Sequence, residues 1–193
     1  MKSRKVTFGV GNSLDGYIAR ADHGVDWLQW TKEIGEISAN YWKTIDTVVM
    51  GRKTYEKSPG EGFPGVKNYV FSRTLTAKLR GPVKIVNTDP ARFVAKLKKE
   101  PGKGICVMGG GELAAALFDA GLIDEVVLNT HPVLLGAGIP LFPGLEKQID
   151  LKLLEARTLS NGCVVLFYGV LSGPADGFST KGTKGTKSTK KKP

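Results

Sequence analysis

Two glycine-containing segments of this sequence carry the residue types that bind phosphate groups. In the first, an apolar run ends at Met50 and continues through Gly51, Arg52, Lys53 and Thr54. Glycine lets the backbone approach a ligand closely, and the free N–H groups at the start of a helix attract an anion. The two cations and the hydroxyl group add charge and a further donor. This segment therefore predicts a phosphate site at the junction of a strand and a helix.

The second segment repeats this logic. Three glycines, Gly109 to Gly111, follow an apolar run and precede an Ala- and Leu-rich stretch that begins with Glu112 and Leu113. One ligand with several phosphates, such as a dinucleotide, could contact both turns. Neither segment has the G-x-G-x-x-G or G-x-x-x-x-G-K-[ST] spacing, and Leu14 stands where Gly9-Val10-Gly11 would need its third glycine. The doubly wound dinucleotide fold and the phosphate-loop NTPases are therefore disfavoured.

The apolar pattern predicts the elements that position these turns. Helical patterns cover about 31–44, 52–58, 90–100 and 110–120, and β-type runs lie at about 4–10, 46–50, 67–72, 82–87, 103–108, 123–131, 151–158 and 163–170. Their alternation predicts an α/β fold with helices on both faces of a mostly parallel sheet. The last two runs, joined by Ser160-Asn161-Gly162, predict an antiparallel hairpin at its edge. Such sheets bind ligands at the carboxyl ends of their strands, where both glycine turns fall.

Composition indicates one ordinary domain, expected over residues 1–171. The chain has 193 residues, of which 41% are hydrophobic and 24% charged. The net charge of +10 is uneven, because six lysines lie within residues 174–193. This Lys/Gly/Thr-rich tail, residues 172–193, is predicted to be disordered and either binds polyanions weakly or merely aids solubility. No aromatic residues alternate with its lysines, so we do not expect specific nucleic-acid binding.

The cysteines and the hydropathy of the chain indicate the cellular compartment in which we expect the protein. Cys106 and Cys163 are isolated within apolar runs, which favours buried thiols in a reducing compartment. No cluster of cysteines and histidines predicts a metal site. No apolar run approaches the length of a membrane span, and the N-terminus lacks a long apolar segment. We therefore expect a cytoplasmic protein without a metal ion or a membrane partner.

Several motifs, taken in order, resemble the dihydrofolate reductase superfamily. The similarity extends over about residues 4–170, which implies a three-layer α/β/α fold with about eight strands. Two segments, 12–19 and 131–142, resemble the branch that contains the reductase domain of riboflavin biosynthesis. The zinc-ligand residues of the associated deaminase domain are not found here, so we expect a stand-alone reductase domain. The motifs of the superfamily lie at residues 50–56, 67–73 and 107–111.

The resemblance implies NADPH as the cofactor. Arg52, with Ser72 and Arg73, would bind the adenosine 2′-phosphate and favour NADPH over NADH. Ile18 and Ala19 would lie against the nicotinamide ring. The pyrophosphate would be held by the two glycine turns and the helix starts that follow them: Gly51, Lys53, Thr54, Gly109, Gly110, Gly111, Glu112 and Leu113.

The resemblance also implies a small-molecule substrate and a homodimer. Asp15 would make a polar contact with the substrate or the cofactor amide, although an Asp-Gly turn alone also explains it. Glu33 or Glu36 would correspond to the carboxylate that engages the pterin in folate reductases, although either could be a solvated helix-face acid. Further residues implied on the substrate side are Asn12, Trp27, Thr130, Leu135 and Gly136.

Two departures from the riboflavin branch leave the substrate open. Met108 replaces a residue that is often glutamate, and Tyr17 replaces one that is often basic. We therefore expect an NADPH-dependent reductase acting on a small pteridine- or aminopyrimidine-like substrate, similar to 5-amino-6-(5-phosphoribosylamino)uracil reductase. The alternatives are a dihydrofolate reductase proper and a non-catalytic NADP-binding module with a polyanion-binding tail.

Overall fold

A computed structural model describes residues 3–57, 62–75 and 81–171. The predicted tail, 172–193, lies outside the described residues. The helices are α1 (Lys32–Trp42), α2 (Arg52–Lys57), α3 (Pro90–Lys99) and α4 (Gly111–Asp119). The strands are β1 (Val6–Ser13), β2 (Tyr17–Ala19), β3 (Ile45–Gly51), β4 (Lys67–Phe71), β5 (Val83–Val86), β6 (Gly104–Met108), β7 (Glu125–His131), β8 (Ile139–Pro140), β9 (Leu151–Thr158) and β10 (Val164–Val170).

Eight of the strands form one sheet in the order β5-β4-β3-β6-β1-β7-β10-β9. The first six run parallel, whereas β10 is antiparallel to both β7 and β9. The predicted mixed sheet with a C-terminal antiparallel hairpin is thereby confirmed. Not foreseen from the sequence was a second, two-stranded sheet, in which β2 pairs with β8.

Local sequence signals set the ends of the helices. Thr31 accepts a hydrogen bond from the backbone of Ile34 and caps α1. Asp89 caps α3 in the same way, and Pro90 occupies its first turn, where a missing N–H group costs nothing. Gly121 follows the C-cap of α4, and its positive φ of 65° allows Leu122 N to donate to Leu117 O. This is the hydrogen bond of a Schellman motif.

Helices cover both faces of the sheet, but they pack against it unequally. The α3 and α4 face holds the largest cluster of buried side chains, centred on Phe8, Ile105 and Leu117. The opposite face has two smaller clusters, one beneath α2 and one beneath the start of α1. Within α1 itself, Ile34 is the buried residue. The helix therefore stands partly off the sheet and leaves space for a cleft.

A buried cation joins the amino ends of three strands. Arg4 is only 5% exposed, and it donates to Asp46, to Thr47 Oγ1 at 2.8 Å and to the Lys103 carbonyl at 2.6 Å. Because these partners precede or begin β3 and β6, this network ties β1 to both neighbours at the edge opposite the ligand-binding edge.

Replacing Arg4 with methionine should destabilise the fold. The variant leaves Asp46, whose side chain is 30% exposed, without its cation, and we expect a loss of about 2 to 3 kcal/mol in unfolding free energy. Urea denaturation measures this loss. The matched control is Lys5→Met, which removes an exposed ion pair to Glu125 and should cost less than about 1 kcal/mol. Equal losses in both variants would contradict the structural role of Arg4.

Candidate active site

A large cleft, with a volume of about 1730 Å³, opens at the carboxyl ends of the parallel strands and continues under α1. Both glycine turns contribute to its wall. They are adjacent in space, because a Cβ atom built on Gly109 would lie only 3.1 Å from Thr54 Oγ1, and one on Gly110 would lie 3.6 Å from Gly51 N. Two segments separated by more than fifty residues thus form one surface.

The start of α4 has the properties of an anion site. Gly109 and Gly110 have φ values of 58° and 78°. Residues other than glycine adopt this backbone conformation only with steric strain. The residues from Gly109 to Leu113, which include the start of α4, line the cleft. The N-cap residue is Gly110, which has no side chain to cap the first N–H groups of the helix, and the N–H groups at a helix start attract anions. The carboxylate of Glu112 is in the first turn, so its backbone rather than its side chain suits a phosphate.

Cations surround the same end of the cleft. Arg52, Lys53, Lys57 and Arg73 line it, together with Ser72. Arg52 forms an ion pair with Glu56 at 3.0 Å, and both side chains are more than 40% exposed. Such an exposed pair is weak and can be exchanged for a phosphate.

The opposite end of the cleft, under α1, is mainly apolar, and we call it the slot. Its floor is the sheet face formed by Gly9, Gly11, Val127, Val165 and Phe167, and its roof is formed by Ile34, Ile37 and Tyr41 of α1. A Cβ atom built on Gly9 would meet no other atom within 4 Å. The absence of a side chain at Gly9 thus leaves a gap between helix and sheet that is suited to a flat ring, whereas Leu28 fills the position beside Gly11.

The small sheet of β2 and β8 forms a flap along the edge of the cleft. Ile18, Ala19, Ile139 and Pro140 line the cleft from this flap. Asp15 fastens the loop before the flap, because its carboxylate accepts hydrogen bonds from Ser13 Oγ at 2.6 Å, Leu135 N at 3.0 Å and Gly136 N at 2.7 Å. The Ser13 hydroxyl, followed by these amides, lowers the pKa of Asp15. The carboxylate therefore acts here as a clamp between two loops.

The five residues expected to contact the substrate lie outside the lining of the cleft. Asn12 and Thr130 pair with each other across β1 and β7, with Thr130 Oγ1 donating to Asn12 Oδ1 at 3.2 Å. Leu135 and Gly136 bind Asp15 through their backbones. Trp27 is buried edge-on against His131, with 5.4 Å between ring centroids. It is Trp30, three residues further on, that lines the cleft.

The two expected carboxylates of α1 lie outside the cleft. Glu33 and Glu36 line a separate, smaller depression beside Arg157. Glu33 accepts hydrogen bonds from Ser160 Oγ at 2.6 Å and from Ser160 N, and the Ser160 hydroxyl lowers its pKa. Glu36 is exposed and lies 3.9 Å from Lys32. This geometry gives no support to a proton-donor role for either residue.

Several polar residues of the cleft were missed by the sequence analysis. Asn129 and His131 of β7 line it, as does Tyr41 of α1. Burial lowers the pKa of His131 and raises that of Tyr41, so both side chains are neutral at neutral pH. The alternation of β7 could have indicated that Asn129 and His131 share a face with Val127.

Comparison with known proteins agrees with this architecture. The sequence matches the RibD C-terminal domain family over residues 4–165. It is 33% identical to the uncharacterised protein YyaP of Bacillus subtilis (strain 168) over 183 residues, which is 87% of this chain and 96% of that protein.

Two solved structures share the fold. A candidate riboflavin biosynthesis protein from Shewanella sp. PV-4 is 26% identical, with a TM-score of 0.75 over 86% of this chain and 99% of that one. The diaminohydroxyphosphoribosylaminopyrimidine deaminase/5-amino-6-(5-phosphoribosylamino)uracil reductase of Thermotoga maritima is 15% identical, with a TM-score of 0.67. That match covers 88% of this chain and 57% of the Thermotoga protein.

Replacing Asp15 with alanine should loosen the flap. The amides of Leu135 and Gly136 lose their acceptor, so we expect faster hydrogen exchange at both and at the neighbouring flap. In the wild type, the depressed pKa keeps the clamp intact at neutral pH, and the clamp is lost only as the pH falls through that lowered value. The control is Asp26→Ala, which removes an exposed ion pair with Arg20. Unchanged exchange at Leu135 and Gly136 would contradict the clamp.

Proposed function

We propose that this chain, which belongs to the RibD C-terminal domain family, is an NADPH-dependent reductase acting on a small pteridine- or aminopyrimidine-like substrate. Family membership supports a reductase of the riboflavin-pathway type. The observation that carries the finer proposal is the shape of the cleft, in which two glycine turns and a group of cations adjoin an apolar slot. A cleft with phosphate-binding groups at one end and apolar groups at the other suits a dinucleotide in contact with a flat substrate.

In this proposal, the chain binds the cofactor mainly through its phosphates. The backbone of Gly110 to Leu113 and the Thr54 region would hold the pyrophosphate at the start of α4. Arg52, Arg73 and Ser72 would bind the 2′-phosphate that distinguishes NADPH from NADH. The exchange of Glu56 for this phosphate replaces one exposed ion pair of Arg52 with a doubly charged partner.

The remaining residues would orient the ring systems and exclude water. Ile18 and Ala19 of the flap would cover one side of the nicotinamide, and the slot between α1 and β1 would hold the substrate against the other. The bound cofactor supplies the hydride, so the protein's task is to hold the two rings in contact in a dry cleft. Neutral His131 and Tyr41 add polar groups without adding charge.

Replacing Arg52 with alanine should weaken NADPH binding selectively. Loss of a charge-assisted hydrogen bond to the 2′-phosphate is expected to raise the dissociation constant for NADPH about tenfold or more, with little effect on NADH. Quenching of tryptophan fluorescence can report binding, because Trp30 lines the cleft. Lys99→Ala, which removes an exposed cation at the end of α3, is the control. Failure of the wild type to bind NADPH, or equal affinity for NADH, would contradict the proposal.

We also propose that the chain forms a homodimer through β9. This strand is one of the two edge strands of the large sheet, and all eight of its residues are exposed. Leu153 and Leu154 are 51% and 56% exposed. An edge strand with open backbone groups and exposed leucines is a template for pairing with another strand. A second copy of β9 would satisfy these groups on both sides of a two-fold axis.

A charge placed on this edge should dissociate the dimer. We expect the wild type to sediment as a dimer and Leu153→Lys as a monomer, since an edge lysine opposes strand pairing. Analytical ultracentrifugation of the full chain distinguishes the two. The control is Leu14→Lys, at a leucine that is 66% exposed in the loop before the flap. A monomeric wild type, or a Leu153→Lys variant that remains dimeric, would exclude this interface.

A further inference from the structure

One carboxamide lies in an otherwise apolar part of the slot floor. Strand β7 contributes Val127, Asn129 and His131 to the cleft, because alternate residues of a strand face the same side. In register with Asn129 are Gly11 on β1 and Val165 on β10. Neither neighbour offers a side-chain hydrogen bond, so the polar chemistry of this region depends on Asn129 and His131.

The surroundings of His131 determine which ring nitrogen carries its proton. The ring is 2% exposed, and the backbone N–H of Gln29 points at Nδ1 from 3.5 Å. A main-chain N–H can only donate, so Nδ1 is an acceptor. Cys163 Sγ lies 3.3 Å from the same nitrogen and, as a thiol, can donate to it as well. In a neutral imidazole the proton is then on Nε2.

This tautomer fixes the orientation of the Asn129 amide. The atom placed as its Nδ2 lies 3.1 Å from His131 Nε2, but an Nε2–H group requires an acceptor there. Oxygen and nitrogen of a carboxamide have nearly the same shape and are distinguished by their hydrogen bonds. The amide oxygen therefore faces His131, and the amide NH₂ occupies the other terminal position. That position, where the structure places Oδ1, is buried and has no hydrogen-bond partner among the described residues.

A buried donor without an acceptor is costly, which makes it a sensitive recognition group. A ligand atom that accepts its hydrogen bond removes this cost, and a ligand that presents a second donor does not. Tyr41 on the roof is a second buried polar group, and its hydroxyl lies close to Cys106 and Thr7. The unsatisfied group of the slot floor is therefore the Asn129 amide.

We propose that Asn129 determines substrate specificity, by donating from its amide NH₂ to a carbonyl oxygen or ring nitrogen on the edge of a neutral, planar nitrogen heterocycle. His131 is the positioning residue, since its Nε2–H holds the amide oxygen. The inference rests on the proposed function and deepens it. It adds that the substrate places an acceptor, rather than an amino group, against β7. The apolar neighbours Val127 and Val165 favour an uncharged ring.

The test compares two probes that differ at one position, in the presence of saturating NADPH. Dihydropterin carries a ring carbonyl, and the matching diaminodihydropteridine carries an amino group in its place. We expect the wild type to bind dihydropterin about tenfold more tightly, the effect of one buried hydrogen bond. Asn129→Asp, which offers only acceptors, should reverse this preference, and Asn129→Leu should abolish it. Isothermal titration measures both dissociation constants.

The role of His131 is tested by the ratio of the two affinities rather than by stability. His131→Phe preserves a buried ring but removes both nitrogens, so the ratio should fall toward that of Asn129→Leu while the NADPH dissociation constant is unchanged. The control for the exchange of amide for acid is Gln148→Glu, at an exposed residue far along the chain from β7. It should leave the ratio as in the wild type.

The outcomes separate this inference from the proposed function. If NADPH binds but Asn129→Asp leaves the ratio unchanged, the specificity role of Asn129 is overturned. A wild type that prefers the diamino probe overturns the assigned amide orientation, and one that binds neither probe overturns the substrate class. If the wild type does not bind NADPH at all, the proposed function itself fails.

Discussion

The site depends on the parallel direction of six strands. Parallel strands present their carboxyl ends at one edge of the sheet, and the turns that follow them must meet there. In this chain, β3 and β6 are neighbours, so the turn at Gly51 and the turn at Gly109 come within contact distance of each other. The approach is close enough that a side chain at Gly109 would press on Thr54. A single surface for several phosphates follows from topology together with two glycines.

One face of the sheet holds the larger hydrophobic core, and the other face borders the cleft. The α3 and α4 face is closed by interlocked aromatic and aliphatic side chains, including the edge-to-face pair of Phe8 and Phe118. On the α1 face, Gly9 leaves open space above β1. Burial on the first face stabilises the fold, and this stability allows the second face to keep an open slot. The Arg4 network reinforces the far edge, away from the cleft.

Much of the fold can be predicted from the sequence because its signals are local. Strand periodicity, the Asp89-Pro90 start of α3 and the glycine after α4 each act within a few residues. Strands β2 and β8 have three and two residues, which is too short for a periodic pattern. The site is harder to predict from the sequence, because it depends on which side of each helix or strand faces the cleft. On α1, Ile34, Ile37 and Tyr41 form the inward stripe.

Glu33 and Glu36 each precede an isoleucine of that stripe, and one residue along a helix is a rotation of about 100°. That rotation carries both carboxylates out of the cleft and toward Ser160 and Lys32. A carboxylate that matches a motif by its position in the sequence can thus lie on another face of the helix. His131 and Tyr41, which face the slot, are neutral, and the charged residues Glu125 and Arg157 that also line the cleft are paired with Lys5 and Glu155. Neutral donors beside an apolar floor favour recognition by the pattern of hydrogen bonds, because each buried donor must be matched by an acceptor.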